Sequence, residues 1–285
     1  MKHRLRALAL FLSILALLLP LTSCRLQDGR EVISVTIPPM AEFVRAVAGE
    51  EFRVVTLVPP GYSPEAYEPI VRTMTDFASS RVFFSMGLPV DEATLIPALA
   101  EGTSHVSLSD CVTPLYPDRM IDGGRDPHVW LSPDRVAVMV NAIAATLAEV
   151  NPDRAATYAE NAEAYLARLS AADAAVREAI AASGATELIV YHPAFGYFAD
   201  EYGLTMHALE EHGGEATATR MAELVDLAKE RGIRVIFYQA ETDGRQARAF
   251  AREIGGTAVE LSPLAEDYAE NLERMAEAIA SAKGE

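Results

Sequence analysis

Short β-branched runs alternate with segments of helical period from Glu31 to the end of the chain. Val32, Ile33, Val35 and Ile37 form the first run, and Pro38-Pro39 closes it. Residues 40–49 follow, with Phe43, Val44 and Val47 spaced to line one side of a helix. The pattern then predicts a strand over 53–58, a helix over 69–79, a strand over 82–84, a helix over 91–100 and a strand over 105–108. Strands separated by helical segments, with short connections, make a parallel sheet covered on both faces. Residues 110–126, rich in Pro, Gly and Asp, read as a loop.

Helical signals dominate the middle of the chain. Ser132 before Pro133 marks the start of a helix over 133–150, which Asn151-Pro152 interrupts. With Asn151 as cap, a second helix runs to about residue 182 and ends at Gly184. Tyr158, Tyr165, Leu166, Leu169, Val176 and Ile180 fall on one side of it. Roughly thirty residues at 1.5 Å each give about 45 Å, enough to cross two domains. The alternation then resumes, with strands over 188–191, 204–208, 234–238 and 257–261 and helices over 194–202, 217–231, 244–254 and 264–282. The predicted fold is α/β: two parallel-sheet α/β lobes joined by one long linking helix, without an internal sequence repeat. The expected divisions are 24–131 for the first lobe, 132–183 for the linking helices and 184–285 for the second lobe.

Residues 1–23 stand outside this pattern. Lys2, Arg4 and Arg6 precede an almost purely apolar run over 7–19. A spanning helix needs about 20 such residues, so this is the core of a signal peptide. The run leads to Leu21-Thr22-Ser23-Cys24, and small residues before a cysteine resemble the processing site of bacterial lipoproteins. Cys24 is then the expected lipidation site, holding an extracytoplasmic protein to a bacterial membrane. No later stretch approaches the length of a spanning helix. Cys111 is the one other cysteine and reads as a small buried hydrophobe.

Asp and Glu number 41 against 24 Lys and Arg, a net charge of −17. That balance argues against a nucleic-acid partner and suits a cation as ligand. Two cysteines support neither a disulfide framework nor a four-thiolate zinc site. There is no G-x-S-x-G elbow and no Walker loop, which removes the serine-hydrolase and NTPase readings. The segment His207-Ala208-Leu209-Glu210-Glu211-His212 approaches a zinc-peptidase motif. Its histidines are five apart, however, and on a helix they would point about 140° away from each other.

Ligands of open α/β sheets gather beyond the carboxyl ends of strands. Four segments qualify: PPGYSPEAYEP over 59–69, HPAFGY over 192–197, QAETD over 239–243, and DPHVWLSP over 126–133 before the first linking helix. They carry Glu65, His128, His192 and Glu241, two from each lobe. Imidazoles suit Zn²⁺, and added carboxylate oxygens suit Mn²⁺. Asp126 is placed to accept the second N–H of an imidazole. Trp130 reads as packing, and His105, His207 and His212 as ordinary surface or core groups.

The same segments resemble the metal-binding receptors of bacterial zinc/manganese ABC importers, the group with a long helix between two lobes. DPHVWLSP is the most specific match, followed by HPAFGYFADEYGL over 192–204 and by PPGYSPEAYEP. The resemblance runs from about Val32 to Ala282. It implies a monomer, not an enzyme, that holds one Zn²⁺ or Mn²⁺ between its lobes and delivers it to an ABC permease and its ATPase. His128 and His192 match the family's ligand positions. Two positions depart from it: Glu65 stands where a histidine is usual, and Ser262 where an aspartate precedes Pro-Leu. A branch of the family carries this Pro-Glu loop and a Gln-x-Glu segment. Within it, Glu65 replaces an imidazole by a carboxylate, and Glu241 or the amide oxygen of Gln239 takes over from the aspartate. A His-rich acidic insertion near 110–125, frequent in zinc-scavenging members, is missing. A secreted zinc hydrolase and an adhesin bearing a metal site are the competing classes.

Overall fold

The computed structural model describes residues 29–121, 123–210, 214 and 216–282; the leader, Cys24 and His212 lie outside them. The first sheet consists of β1 (Val32–Val35), β2 (Arg53–Thr56), β3 (Ser80–Ser85) and β4 (Ser104–Ser107), all parallel, in the order β2-β1-β3-β4. Helices α1 (Pro38–Ala48) and α2 (Val71–Phe77) connect its strands, and α3 (Leu108–Val112) follows β4. A small antiparallel hairpin, β5 (Met120–Ile121) with β6 (Gly124–Arg125), precedes the linking helices α4 (Pro133–Val150) and α5 (Ala155–Ser183). The second sheet holds β7 (Glu187–Val190), β8 (Thr205–Ala208), β9 (Val235–Gln239) and β10 (Thr257–Leu261), again parallel, in the order β10-β9-β7-β8. Its helices are α6 (Gly196–Tyr202), α7 (Ala218–Arg231), α8 (Arg245–Glu253) and α9 (Tyr268–Ser281). Counted from the start of each sheet, both lobes read 2-1-3-4, so the topology is repeated although the sequence is not. The two lobes and the long helix are as the residue pattern predicts.

Local chemistry explains where the elements begin and end. Ser132 accepts the Arg135 N–H with its hydroxyl and Pro133 opens α4, the expected cap. Gly184 closes α5 in the left-handed region at φ 63°. Asn151 does not cap α5: its amide donates to Glu51 Oε1 at 2.7 Å, and a 3₁₀ turn over Pro152–Arg154 leads into the helix. The helix expected over 91–100 is instead a wide turn over Asp91–Leu95 followed by a 3₁₀ turn over Ile96–Ala98. Pro97 has no N–H to continue a helical ladder. Asp91 is buried and accepts the N–H groups of Met86, Gly87 and Leu88 and the Thr36 hydroxyl, clipping the turn to β1 and β3. Residues 110–126, expected as a loop, contain the end of α3 and the hairpin.

The core is not divided by lobe. Val35 and Phe83 of the first sheet, Trp130, Leu147 of α4, Tyr165 and Val176 of α5, and Leu188, Phe237 and Leu272 of the second lobe belong to one continuous apolar cluster. A second cluster, with Ile189, Ile236, Leu224 and Phe250, covers the far face of the second sheet. Leu188 and Ile189 point to opposite clusters, as the two-residue period of a strand requires. The 29 residues of α5 span about 43 Å. Ala162 and Ala172 punctuate its buried stripe, and the helix packs on α1, α4 and α9. Leu166, expected on that stripe, is only partly buried. Among the described residues no helix is long and apolar enough to cross a membrane.

One close approach fixes the ends of β9 and β10. A Cβ on Gly256 would stand 1.7 Å from the Arg234 carbonyl oxygen, which accepts the Thr257 N–H at 2.8 Å. Both partners are backbone and neither can swing aside. Gly256→Ala is therefore expected to destabilise the fold by about 1–3 kcal/mol or more. A lower urea midpoint with an unchanged m-value is the corresponding observation.

Candidate metal centre

Loops that leave the carboxyl ends of β2, β7, β9 and β10 meet the segment before α4. Ser63, Pro64, Glu65, His128, Trp130, His192, Gln239, Glu241, Pro263 and Leu264 line the small cavity between them. β7 and β9 are neighbours in the second sheet, at the point where the winding direction reverses, so the loops carrying His192 and Glu241 leave a topological switch point. Glu65, His128 and His192 each offer one donor atom, all within 4.8 Å of one another. Glu65 Oε1 lies 3.5 Å from His128 Nε2 and 3.4 Å from His192 Nε2. The two imidazole centroids are 5.4 Å apart at 72°.

Each imidazole is held from behind. His128 Nδ1 is 2.8 Å from Asp126 Oδ1, which also accepts the His128 backbone N–H. His192 Nδ1 is 2.9 Å from Glu210 Oε2. A carboxylate only accepts, so Nδ1 carries a proton in both rings, and both Nε2 atoms face Glu65 in the cleft. Asp126 is fully buried, and the Arg119 guanidinium meets its other oxygen at 2.8 Å. Burial works against the Asp126 charge, but the hydrogen bonds and charge of His128 and the charge of Arg119 outweigh it and hold the carboxyl below its usual range. The hydrogen bond with His192 likewise holds Glu65 low, against desolvation. Burial would lower the His192 pKa; the hydrogen bonds and charges of Glu210 and Glu65 outweigh it and push it up to about 9.

Of the residues singled out in the sequence, the structure brings together Glu65, His128 and His192 and places Asp126 behind His128. Glu241 lines the same cavity but lies outside the set of three mutually close donors. Its Oε2 is buried with no hydrogen-bond partner, and burial, followed by the charge of Glu260, raises its carboxyl above the usual range. Gln239 is buried at the end of β9, beside it on the cavity wall. Ser262 uses its carbonyl to accept the Asn271 amide. Trp130 packs as expected: it is buried, its indole N–H donates to the Pro263 carbonyl at 2.9 Å, and its ring leans on His128.

Two supporting residues, Glu210 and Arg119, were not singled out in the sequence. Glu210 follows β8, and its N–H donates to the Tyr191 carbonyl beside β7, which sets its carboxylate abreast of His192. A carboxylate two residues beyond β8, level with a histidine two residues beyond the neighbouring β7, is the signal that identifies it. Arg119 immediately precedes β5. His207 pairs with Glu187 and His105 with Ser85, away from the cavity. Cys111 is only half-buried, with burial and then Asp110 raising its thiol.

The cavity measures about 10 Å³, the room of a single water, a size that suits an ion. A larger one of about 220 Å³ lies at the opposite, amino end of the second sheet, against Glu187, Arg231 and Arg234. It holds no imidazole, and its carboxylate is already bonded to His207 and Arg231. The imidazoles that converge on carboxylates are thus those of the small cavity.

Two α/β lobes of one topology, bridged by a long helix and meeting at a cleft of imidazoles and carboxylates, define the class. The family profile described as zinc-uptake complex component A, periplasmic (ZnuA), matches residues 33–282, and the chain belongs to this family. It is 28% identical over 275 residues to the zinc-binding lipoprotein AdcA of Streptococcus pneumoniae, covering 90% of this chain and 54% of that protein. The zinc-binding protein AdcA of Streptococcus pyogenes is 26% identical over 264 residues, covering 84% and 51%. The chain thus spans about half the length of these streptococcal relatives. A crystal structure of ZnuA superposes with a TM-score of 0.84 at 30% identity, covering 89% of this chain and 99% of that one. The periplasmic zinc-binding protein TroA of Treponema pallidum shares the fold, with a TM-score of 0.82 at 21% identity over 90% of this chain and 99% of that one.

Proposed function

We propose that this chain is the extracytoplasmic receptor of a metal ABC importer, taking one Zn²⁺ or Mn²⁺ between its lobes and presenting it to a membrane permease driven by an ATPase. The carrying observation is the set of three donors from Glu65, His128 and His192, with both Nε2 atoms turned to Glu65 and both Nδ1 atoms tied to carboxylates. Glu241, its buried oxygen unpaired on the same wall, is the fourth ligand of this reading, with Gln239 behind it. Zinc binding by the streptococcal relatives and a zinc-bound ZnuA structure at 30% identity support the choice of ion. The reading includes lipid anchoring at Cys24, a monomeric state, and lobes divided at 24–131, 132–183 and 184–285. Calorimetric titration of the metal-free protein with Zn²⁺ and Mn²⁺ tests it, with one ion per chain expected. Failure of both ions to bind would sink it.

Two imidazoles with two carboxylates balance a divalent charge, and the extra oxygen shifts preference toward Mn²⁺ relative to a three-imidazole site without overturning the tighter binding of Zn²⁺. Glu65→His is expected to keep or raise zinc affinity and to lower the Mn²⁺/Zn²⁺ affinity ratio. Glu241→Ala is expected to weaken Zn²⁺ by about tenfold or more, near 1.4 kcal/mol. Ser262→Ala should change it far less. Equal, small effects of the last two in competition titration would remove Glu241 from the ligand set.

A further inference from the structure

We infer that Arg119 is a positioning residue for the metal centre: it fixes His128 through Asp126 and ties that position to helix α6 of the second lobe. The inference rests on the metal-site reading proposed above. Its basis is a chain of contacts that starts in the hairpin. Pairing of Met120 with Arg125 sets the flanking Arg119 and Asp126 opposite each other, and the Asp126 N–H donates to the Arg119 carbonyl at 2.8 Å. The Arg119 guanidinium then folds back so that Nη1 donates to Asp126 Oδ2 at 2.8 Å, while Asp126 Oδ1 takes both N–H groups of His128. All donors on this fully buried carboxylate therefore come from two residues. Without Arg119, Oδ2 has no partner, and a buried carboxylate with an unpaired oxygen turns toward water. Oδ1 turns with it, and the imidazole loses the contact that orients it.

The other face of Arg119 touches the second lobe. Its Nε lies 3.2 Å from Asp200 Oδ2, and its backbone N–H donates to the Tyr197 hydroxyl at 2.9 Å. Gly196 opens α6, four residues after His192, and a Cβ there would stand 2.4 Å from the Arg119 Cζ. The backbone at Gly196 is ordinary right-handed helix, φ −60° and ψ −49°. Glycine is thus not demanded by the backbone; its missing side chain is the space the guanidinium occupies. Arginine is suited to this place because its planar fork can serve two carboxylates at once, which a lysine ammonium does less well.

Zinc titration and Co²⁺ absorption spectra of Arg119→Met, Arg119→Lys and Gly196→Ala test the inference, together with the imidazole ¹⁵N resonances of the metal-free proteins. Arg119→Met should weaken Zn²⁺ by about tenfold, the lower end of what outer partners of metal ligands contribute. It should also change the visible Co²⁺ spectrum and shift the His128 resonances while leaving those of His192 in place. Arg119→Lys should restore part of the affinity. Gly196→Ala replaces a poor helix former by a good one, yet should weaken zinc binding and shift the His128 resonances as Arg119→Met does, because it displaces the guanidinium from the other lobe. Zinc binding within twofold of wild type, with unchanged Co²⁺ spectra and His128 resonances in Arg119→Met, would overturn the inference. If Arg119→Met does not fold, Gly196→Ala decides by the same criteria. Absence of Zn²⁺ and Co²⁺ binding by the wild-type chain would overturn the site itself, and this inference with it.

Discussion

Zinc should bind His128→Ala and His192→Ala ten- to a thousand-fold more weakly than wild type, about 1.4–4 kcal/mol. Each substitution removes one of three donors that converge within 4.8 Å, and neither neighbour can stretch to replace it. Asp126 and Glu210 stand behind the rings, on the Nδ1 side, and face the cleft only through the imidazoles. The two variants should differ in the metal-free state. His128→Ala leaves Asp126 Oδ1 buried with only the backbone N–H of residue 128, and a destabilisation of about 1–3 kcal/mol is expected for a buried acceptor that loses its partner. His192→Ala leaves Glu65 and Glu210 without the cation between them, and both sit in more water than Asp126. Isothermal titration with chelator competition, alongside urea unfolding, separates binding from stability. An affinity unchanged from wild type in either variant removes that residue from the ligand set.

Acidity should act on the metal-free protein and on the ion in opposite senses. The His192 imidazole, with a pKa near 6.5 in the unfolded chain, is pushed up to about 9 between Glu65 and Glu210. A raised pKa means that the folded state holds the proton more tightly. The stabilisation, about 3 kcal/mol at 1.36 kcal/mol per pKa unit, is fully present below about pH 6.5 and is lost as pH rises through about 9. The metal ion needs the same nitrogen neutral, so it must displace that proton. Apparent zinc affinity should therefore rise about tenfold per pH unit between pH 6.5 and 8, while the melting temperature of the metal-free protein falls over the same interval. Titration at pH 7.5 in buffers of different ionisation enthalpy should show about one proton released per ion. A pH-independent affinity across that interval would show that His192 is already neutral before the ion arrives.

Much of this was legible in the residues. The alternation of β-branched runs with helical spacing gave both sheets and the long helix, because the central strands β1, β3, β7 and β9 are buried and need apolar runs. His192 announced itself by lying just beyond a strand end and His128 by lying just before a helix start, both in segments of Pro and aromatic residues. The missed features depend on contacts that no residue periodicity displays. Asp91 reads as a helix start, and only the folded chain shows it bonded to three backbone N–H groups and Thr36. The hairpin that sets Arg119 beside Asp126 has two residues per strand, too few for any periodicity to register. Glu210 sat within a segment read against a peptidase motif, and its pairing with His192 comes from the β7–β8 register. Glu241 was read as a ligand from its place after a strand. The fold puts it on the cavity wall but leaves its oxygen unengaged by protein.

The continuous apolar cluster through both lobes has a consequence for how the chain comes apart. Two domains on a tether can be separated into halves that each keep a finished interior. Here a cut at Asn151 would strip Val35, Phe83 and Trp130 from Tyr158, Tyr165 and Val176 of α5, and would leave Tyr165 and Leu272 facing water. Neither fragment keeps the whole cluster, because the residues that complete it lie on the other piece. The two sheets therefore share one interior across a nominal boundary, and the molecule has two lobes to look at but no seam along which to divide.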